Sequence, residues 1–209
     1  MKRGVFITLE GPEGSGKSTH GRLLSQWLRR QGCRVLFTRE PGGTRVGQRL
    51  RRILLDHRSG KLNPWVELFL YEASRKILME QIIRPALQSG RIVILDRFQD
   101  STGVYQGWAG GCDLDLVERV GREVIGNFKP DLTIVLDLPV KIGLLRVRHP
   151  NRMEAKPLAF HQKVRQGYLA LARKERKRIR VIRADRSAAK VQQEIRKVVQ
   201  DGLEKHRRE

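Results

Sequence analysis

The stretch Val5-Phe-Ile-Thr-Leu9-Glu10-Gly11-Pro12-Glu13-Gly14-Ser15-Gly16-Lys17-Ser18-Thr19 decides how the chain folds. Its first residues form a short apolar run that reads as a buried strand. The next eight match Gly-x-x-x-x-Gly-Lys-Ser, and helix-like sequence follows to about Arg30. In a strand–loop–helix of this kind the glycines let consecutive backbone N–H groups converge on phosphate oxygens, and the helix start adds partial positive charge. We therefore assign Gly11, Pro12, Glu13, Gly14, Ser15, Gly16, Lys17, Ser18 and Thr19 to a cradle for a donor triphosphate, ATP by default. Lys17 is placed to reach the β- and γ-phosphates, and the Ser18 hydroxyl suits Mg²⁺. From average glycine usage a chance match arises in about one chain in a hundred. The flanking strand and helix make it rarer still.

Working outward, Gly32 closes the first helix as a C′ glycine does, and Arg34–Thr38 reads as a second strand. Pro41-Gly42-Gly43 forces a turn, and helical periodicity resumes over 47–55. Asn63-Pro64 is an N-cap followed by proline at the first helical position. The helix it opens is expected to run to about Gln88 and end at Gly90, with Pro85 kinking or breaking its last turns. Further strands are expected at 92–95, 132–136 and, more weakly, 180–182, with helices at 113–126, 140–147, 158–177 and 188–205. Strands alternating with helices imply parallel strands and right-handed crossovers. The expected fold is a three-layer α/β/α P-loop domain, one unit over residues 1–209, around a central parallel five-stranded sheet. Its ligands bind beyond the carboxyl ends of the strands.

Composition agrees with such a domain: 209 residues, 39% hydrophobic and 31% charged. No apolar run approaches the ~18 residues of a membrane span, no segment reads as a secretory leader, and Cys33 and Cys112 form no metal or disulfide spacing. A reduced cytoplasmic setting is the expectation. The formal charge of +21 is uneven, since residues 141–209 hold 21 Lys and Arg against 7 Asp and Glu. That excess suits nucleic acid, yet the run Lys174–Arg180 lacks the interleaved aromatics of a single-strand binder. Solvated helix faces and contacts to anionic nucleotides account for it as well.

The P-loop leaves GTPases, ATPases, small kinases and nucleic-acid motors open. No Asn-Lys-x-Asp element for reading guanine is present. Two constellations at strand ends narrow the choice: Thr38-Arg39-Glu40-Pro41-Gly42-Gly43-Thr44, and Asp96-Arg97-Phe98-Gln99-Asp100-Ser101-Thr102-Gly103-Val104-Tyr105-Gln106-Gly107. With them the chain resembles bacterial thymidylate kinases over nearly its whole length and in the same motif order. The resemblance implies transfer of the γ-phosphate of Mg·ATP to dTMP, and a homodimer formed through helices. Asp96, closing an apolar strand, is implied as a Mg²⁺ holder beside Ser18. Arg97 is implied as the clamp on the dTMP phosphate, with Arg51 as a second arginine there; alone, Arg51 reads as helix surface. Glu40 and Pro41 fall within the first constellation and are counted with the dTMP site. Tyr71 and Arg75 share a helix face at i and i+4; the resemblance has the first stack on thymine and the second bond a thymine carbonyl. Gln106 matches a reader of the pyrimidine edge, and Tyr105 a tyrosine that favours deoxyribose. Ser101 and Thr102 are candidate hydroxyl contacts, and Glu13 matches a carboxylate near the 3′-hydroxyl.

Phosphoryl transfer needs positioning and charge cancellation more than covalent chemistry. Some members of the family carry an arginine inside the P-loop, where this chain has Gly14. The bacterial branch supplies arginines from a lid, here about 147–156. Asn151-Arg152-Met153-Glu154 resembles the lid signature, which makes Arg152, assisted by Arg148, the catalytic candidates beside Lys17 and Arg97. His149 reads as lid surface. The chain departs from the family in its short, proline-containing lid, and in Ile182-Arg183-Ala184-Asp185 where Ile-Asp-Ala commonly lines the adenine pocket. It departs also in Glu72, a charge beside Tyr71 with no evident task. A kinase for another deoxynucleoside monophosphate is the alternative within the class, and a basic nucleic-acid-binding P-loop protein the alternative outside it. No specific nucleic-acid or membrane partner is expected.

Overall fold

The structure, a computed structural model, describes residues 3–208. Five short runs rich in β-branched and aliphatic residues form the strands: β1 Phe6–Glu10, β2 Val35–Arg39, β3 Ile92–Asp96, β4 Leu132–Asp137 and β5 Ile179–Arg183. They pair in parallel in the order β2-β3-β1-β4-β5. Every residue of β1 and β3 is buried, as strands covered on both faces must be. The expected strands are all present, within about two residues of their expected ends.

The period-2 alternation of β1 sorts its side chains. Ile7 and Leu9 face one layer, where they meet Leu24 and Leu28 of α1 (Lys17–Arg30) and Val191, Ile195 and Val199 of α9 (Ala188–Arg208). Leu24 and Leu28 lie at i and i+4 and are sealed from water, each stabilising the layer by about 2 kcal/mol. Phe6 faces the other layer, with Leu78, Ile83, Leu87 and Phe98. Thr8 and Glu10 share that second face yet are polar, and Glu10 stands where the strand ends at the P-loop.

The helix opened by Asn63 is capped as expected, the asparagine accepting from Trp65 N at 2.9 Å. It does not run unbroken. Regular α3 (Pro64–Leu78) widens into a π-type turn at Met79–Ile83, then resumes as α4 (Arg84–Gln88). Pro85 has no N–H for the ladder, and the wider turn just before it absorbs the mismatch instead of a break. After β3 the chain forms a helix that the sequence did not announce, α5 (Gln99–Thr102), which passes into a second π-type turn at Gly103–Trp108. The remaining helices are α2 (Arg45–Leu55), α6 (Leu114–Ile125), α7 (Val140–Leu145) and α8 (Leu158–Lys174).

Between α7 and α8, Asn151 accepts from the main-chain N–H groups of Met153 and Glu154, while Glu154 accepts from Asn151 N. This compact turn is held to the end of α2 by Arg152 N on Leu55 O at 3.0 Å, and His57 Nε2 pairs with Pro150 O at 2.8 Å. Among the described residues no helix is long and apolar enough to cross a membrane.

Candidate active site

The carboxyl ends of β1, β2 and β3 open onto one cavity of about 570 Å³, lined by the P-loop on one side and by α3, α5 and the following π turn on the other. Gly11, Gly14 and Gly16 adopt φ of 134°, 67° and 89°, a region open to glycine at little cost. The loop is pressed from behind by α7: a Cβ on Gly14 would lie 2.0 Å from Gly143 O. Gly14 thus leaves no room for a side chain, let alone an arginine. Lys17 is buried and donates to Gly11 O at 3.1 Å, Pro12 O at 2.8 Å and Ser15 Oγ at 3.2 Å. Burial and then Arg97 push its ammonium down to about 8. Ser18 donates to Asp96 Oδ2, so hydroxyl and carboxylate already share one point at the end of β3. Thr19, exposed, lines the same end of the cavity.

Arg97 sits at the meeting of the two halves. Among the described residues it is the one non-glycine with positive φ, 70°, a conformation held against its own preference by the contacts around it. Its Nη2 donates to Glu13 Oε2 at 2.8 Å, and its Nη1 to Tyr168 Oη at 3.2 Å, Ser101 Oγ at 3.3 Å and Gly11 O at 3.3 Å. Tyr105 Oη donates to the other oxygen of Glu13 at 2.8 Å. Burial would push the Glu13 carboxyl up; Arg97 and Lys17, with the tyrosine bond, outweigh it and hold it down to about 2.

Beneath Arg97 lies a group that the sequence reading passed over. Glu10 accepts from Phe98 N at 2.7 Å, Ser101 Oγ at 2.6 Å and Tyr168 Oη at 2.9 Å. Burial, then Asp100, pushes its carboxyl up to about 7. Asp100 is in turn held by Arg178 at 2.7 and 3.0 Å. The signal for Glu10 was an acid closing an otherwise apolar strand. Tyr168 had no local signal, because its partners Ser101, Arg97 and Glu10 lie 67, 71 and 158 residues away.

At the other end of the cavity, Tyr71, Arg75, Gln106, Arg51, Glu40 and Pro41 all line its wall. Arg51 donates to Pro41 O at 3.1 Å and is half-buried, so it borders the cavity and does not stand free on the helix surface. Arg75 is fully buried and heavily engaged: Nε with Glu40 at 2.8 Å, Nη1 with Glu72 at 2.6 Å and Gln99 at 2.8 Å, Nη2 with Thr102 at 2.9 Å. A base carbonyl would have to share one of these donors. Glu72, which had no evident task, is thus a partner of Arg75. Ser101 and Thr102 likewise turn their hydroxyls to Glu10 and Arg75.

The arginines of the 147–156 segment are not where the resemblance implied. Arg152 is buried and points into the protein, donating to Glu67 at 2.7 Å and Leu54 O at 2.8 Å, and it does not line the cavity. Arg148 is exposed and does not line it either. Arg146, not singled out from the sequence, does line it, with Nη1 at 3.4 Å from Gly14 O and 3.5 Å from Ala184 O. Ala184, Arg186 and Ala188 complete that end.

The family model described as Thymidylate kinase matches residues 9–195. The chain belongs to the thymidylate kinase family. Thymidylate kinase of Pelotomaculum thermopropionicum is 43% identical over 206 residues, 97% of this chain and 95% of that one. Thymidylate kinase of Syntrophotalea carbinolica is 48% identical over 189 residues, covering 86% and 88% of the two chains. The crystal structure of thymidylate kinase from Ehrlichia chaffeensis superimposes with a TM-score of 0.78 at 33% identity, covering 95% of this chain and 99% of that chain. The three-layer P-loop fold read from the sequence is the fold of this family.

Proposed function

We propose that the protein transfers the γ-phosphoryl group of ATP to dTMP, giving ADP and dTDP. One observation carries this reading: a single cavity joins a P-loop to a pocket edged by an aromatic ring, a buried arginine and a glutamine, with Arg97 between them. A lone P-loop would bind a triphosphate; the second pocket gives its phosphoryl group somewhere to go.

In this mechanism the P-loop N–H groups and Lys17 hold the β- and γ-phosphates, and Arg97 holds the acceptor phosphate in line. A fork with several N–H donors suits a phosphate better than lysine's point charge. Glu13, kept ionised, fixes Arg97 from one side and Tyr105 from the other, and stands on the sugar side of the acceptor. Mg²⁺ fits the paired hydroxyl and carboxylate of Ser18 and Asp96, hard oxygen donors of the kind it takes beside phosphates, and when bound it supplies charge neutralisation. Arg146 lies nearest the donor end, and the 147–156 segment acts as the lid. Arg148 and Arg152 reach the phosphates only if the lid rearranges, Arg152 by leaving Glu67.

The protein acts as a cytoplasmic homodimer in this reading. Val46 and Ile53 of α2, two turns apart, and Val66 and Phe69 of α3 are exposed on neighbouring helices, a face suited to a second copy. The test of the activity is a coupled ADP-release assay with dTMP, dUMP, dCMP and dGMP. Turnover selective for dTMP is expected; no dTMP turnover, or equal turnover of all four, overturns the proposal. A salt titration against DNA completes it: tight DNA binding without turnover would favour the nucleic-acid reading.

A further inference from the structure

Glu67 is an acid on α3 with almost no exposure, four residues before Tyr71 and eight before Arg75, hence on the same helix face. Four bonds converge on its carboxyl group. Arg152 donates at 2.7 Å, Lys156 at 3.1 and 3.2 Å to the two oxygens, and the side-chain NH₂ of Gln106 at 3.0 Å. Lys156 donates to both oxygens, so each already serves as an acceptor. Gln106 is therefore obliged to turn its NH₂ toward Glu67, because its carbonyl oxygen would meet an acceptor there. The amide oxygen has no partner among the described residues and is left to the cavity that Gln106 lines.

We infer that Glu67 is a specificity-positioning residue: by fixing the Gln106 amide it presents an acceptor, and not a donor, to the base of the incoming nucleotide. A pyrimidine with a ring N–H, as in thymine or uracil, is complementary to that oxygen. Cytosine offers a ring nitrogen lone pair at the corresponding place and meets it acceptor to acceptor, an uncompensated polar contact. The same carboxyl group ties Arg152 and Lys156 of the lid, so the group that orients the base reader also anchors the lid.

This inference rests on the dTMP kinase reading, and the test separates the two. Wild type and Glu67→Gln are compared by kcat/KM for dTMP and dCMP. An amide at position 67 can donate to Gln106 and lets it turn over. The dTMP-to-dCMP ratio is then expected to fall by about tenfold or more, with dCMP turnover rising in absolute terms. A general loss of packing or lid position lowers both substrates together; an unchanged ratio overturns the inference. Wild type that fails on dTMP overturns the parent reading instead. A second measurement needs no folded variant at Glu67. In ¹⁵N-labelled wild type the Gln106 NH₂ pair, assigned by its loss in Gln106→Leu, should stay protected from water exchange and shift little on adding dTMP. An NH₂ that moves onto the nucleotide overturns the inference.

Discussion

Replacing Gly143 by alanine separates what α7 gains as a helix from what the P-loop tolerates. A methyl at residue 143 would stand 2.2 Å from the main-chain oxygen of Glu13, whereas even tight Cβ contacts lie at 3.0–3.4 Å. One backbone must retreat by roughly 1 Å, and neither can swing aside as a side chain would. Helix propensity favours alanine by about 1 kcal/mol, and overpacking costs about 1–3 kcal/mol. The net loss of stability is therefore at most about 2 kcal/mol. A shift of this size in the phosphate loop lowers turnover by about 10²-fold. Chemical denaturation and the ADP-release assay with dTMP measure the two quantities side by side. Gly202→Ala on α9 is the control, since its methyl meets only Leu132 Cδ2 at 3.5 Å; it should keep full activity and gain up to about 1 kcal/mol. A Gly143→Ala protein with kcat/KM within about threefold of wild type would refute the claim that α7 holds the loop in place.

Arg97→Lys keeps the charge but cannot serve Glu13, Ser101 and Tyr168 together, so kcat/KM for dTMP should fall about 10²-fold or more; a loss of only a few-fold counts against the clamp. Burial raises the Glu40 carboxyl from 4.5 to about 8, opposed by Arg75. The folded state thus holds this proton after the unfolded chain has released it, and stability falls as pH rises between those values. Denaturation midpoints of wild type should decline from pH 5 to 8 more steeply than those of Glu40→Gln; parallel curves would contradict this. If the proposed dimer forms through the exposed α3 face, Phe69→Glu should shift the particle from dimer to monomer in sedimentation while leaving the monomer folded; a wild type that is already monomeric, or a dimer that survives the substitution, would contradict the proposed interface.

The layers were legible because β1 to β4 are short, mostly apolar runs with glycine or proline within a few residues, whereas β5, Ile179-Arg-Val-Ile-Arg183, has neither and was the weaker reading. Turn and cap residues gave the helix starts, as Asn63 shows. What escaped was not local. The π turns at 79–83 and 103–108 carry no residue signature of their own, so neither was visible, and α5 lay hidden inside a motif read for its chemistry. Arg152 was legible as a motif residue but not in its direction, since that depends on Glu67, 85 residues away. Glu67 itself had a usable signal: an acid at i−4 from Tyr71 and i−8 from Arg75, on a face that the aromatic–arginine pair had already marked.

Residue 13 belongs to both halves of the cavity at once. Its main-chain oxygen rests against Gly143 behind the donor loop, while its carboxylate grips Arg97 and Tyr105 on the acceptor side. In the proposed transfer, the gap between the two nucleotides would thereby depend on the length of one glutamate side chain. Shortening it to aspartate would change the reach of the whole transfer, and no adjustment confined to either pocket would restore it.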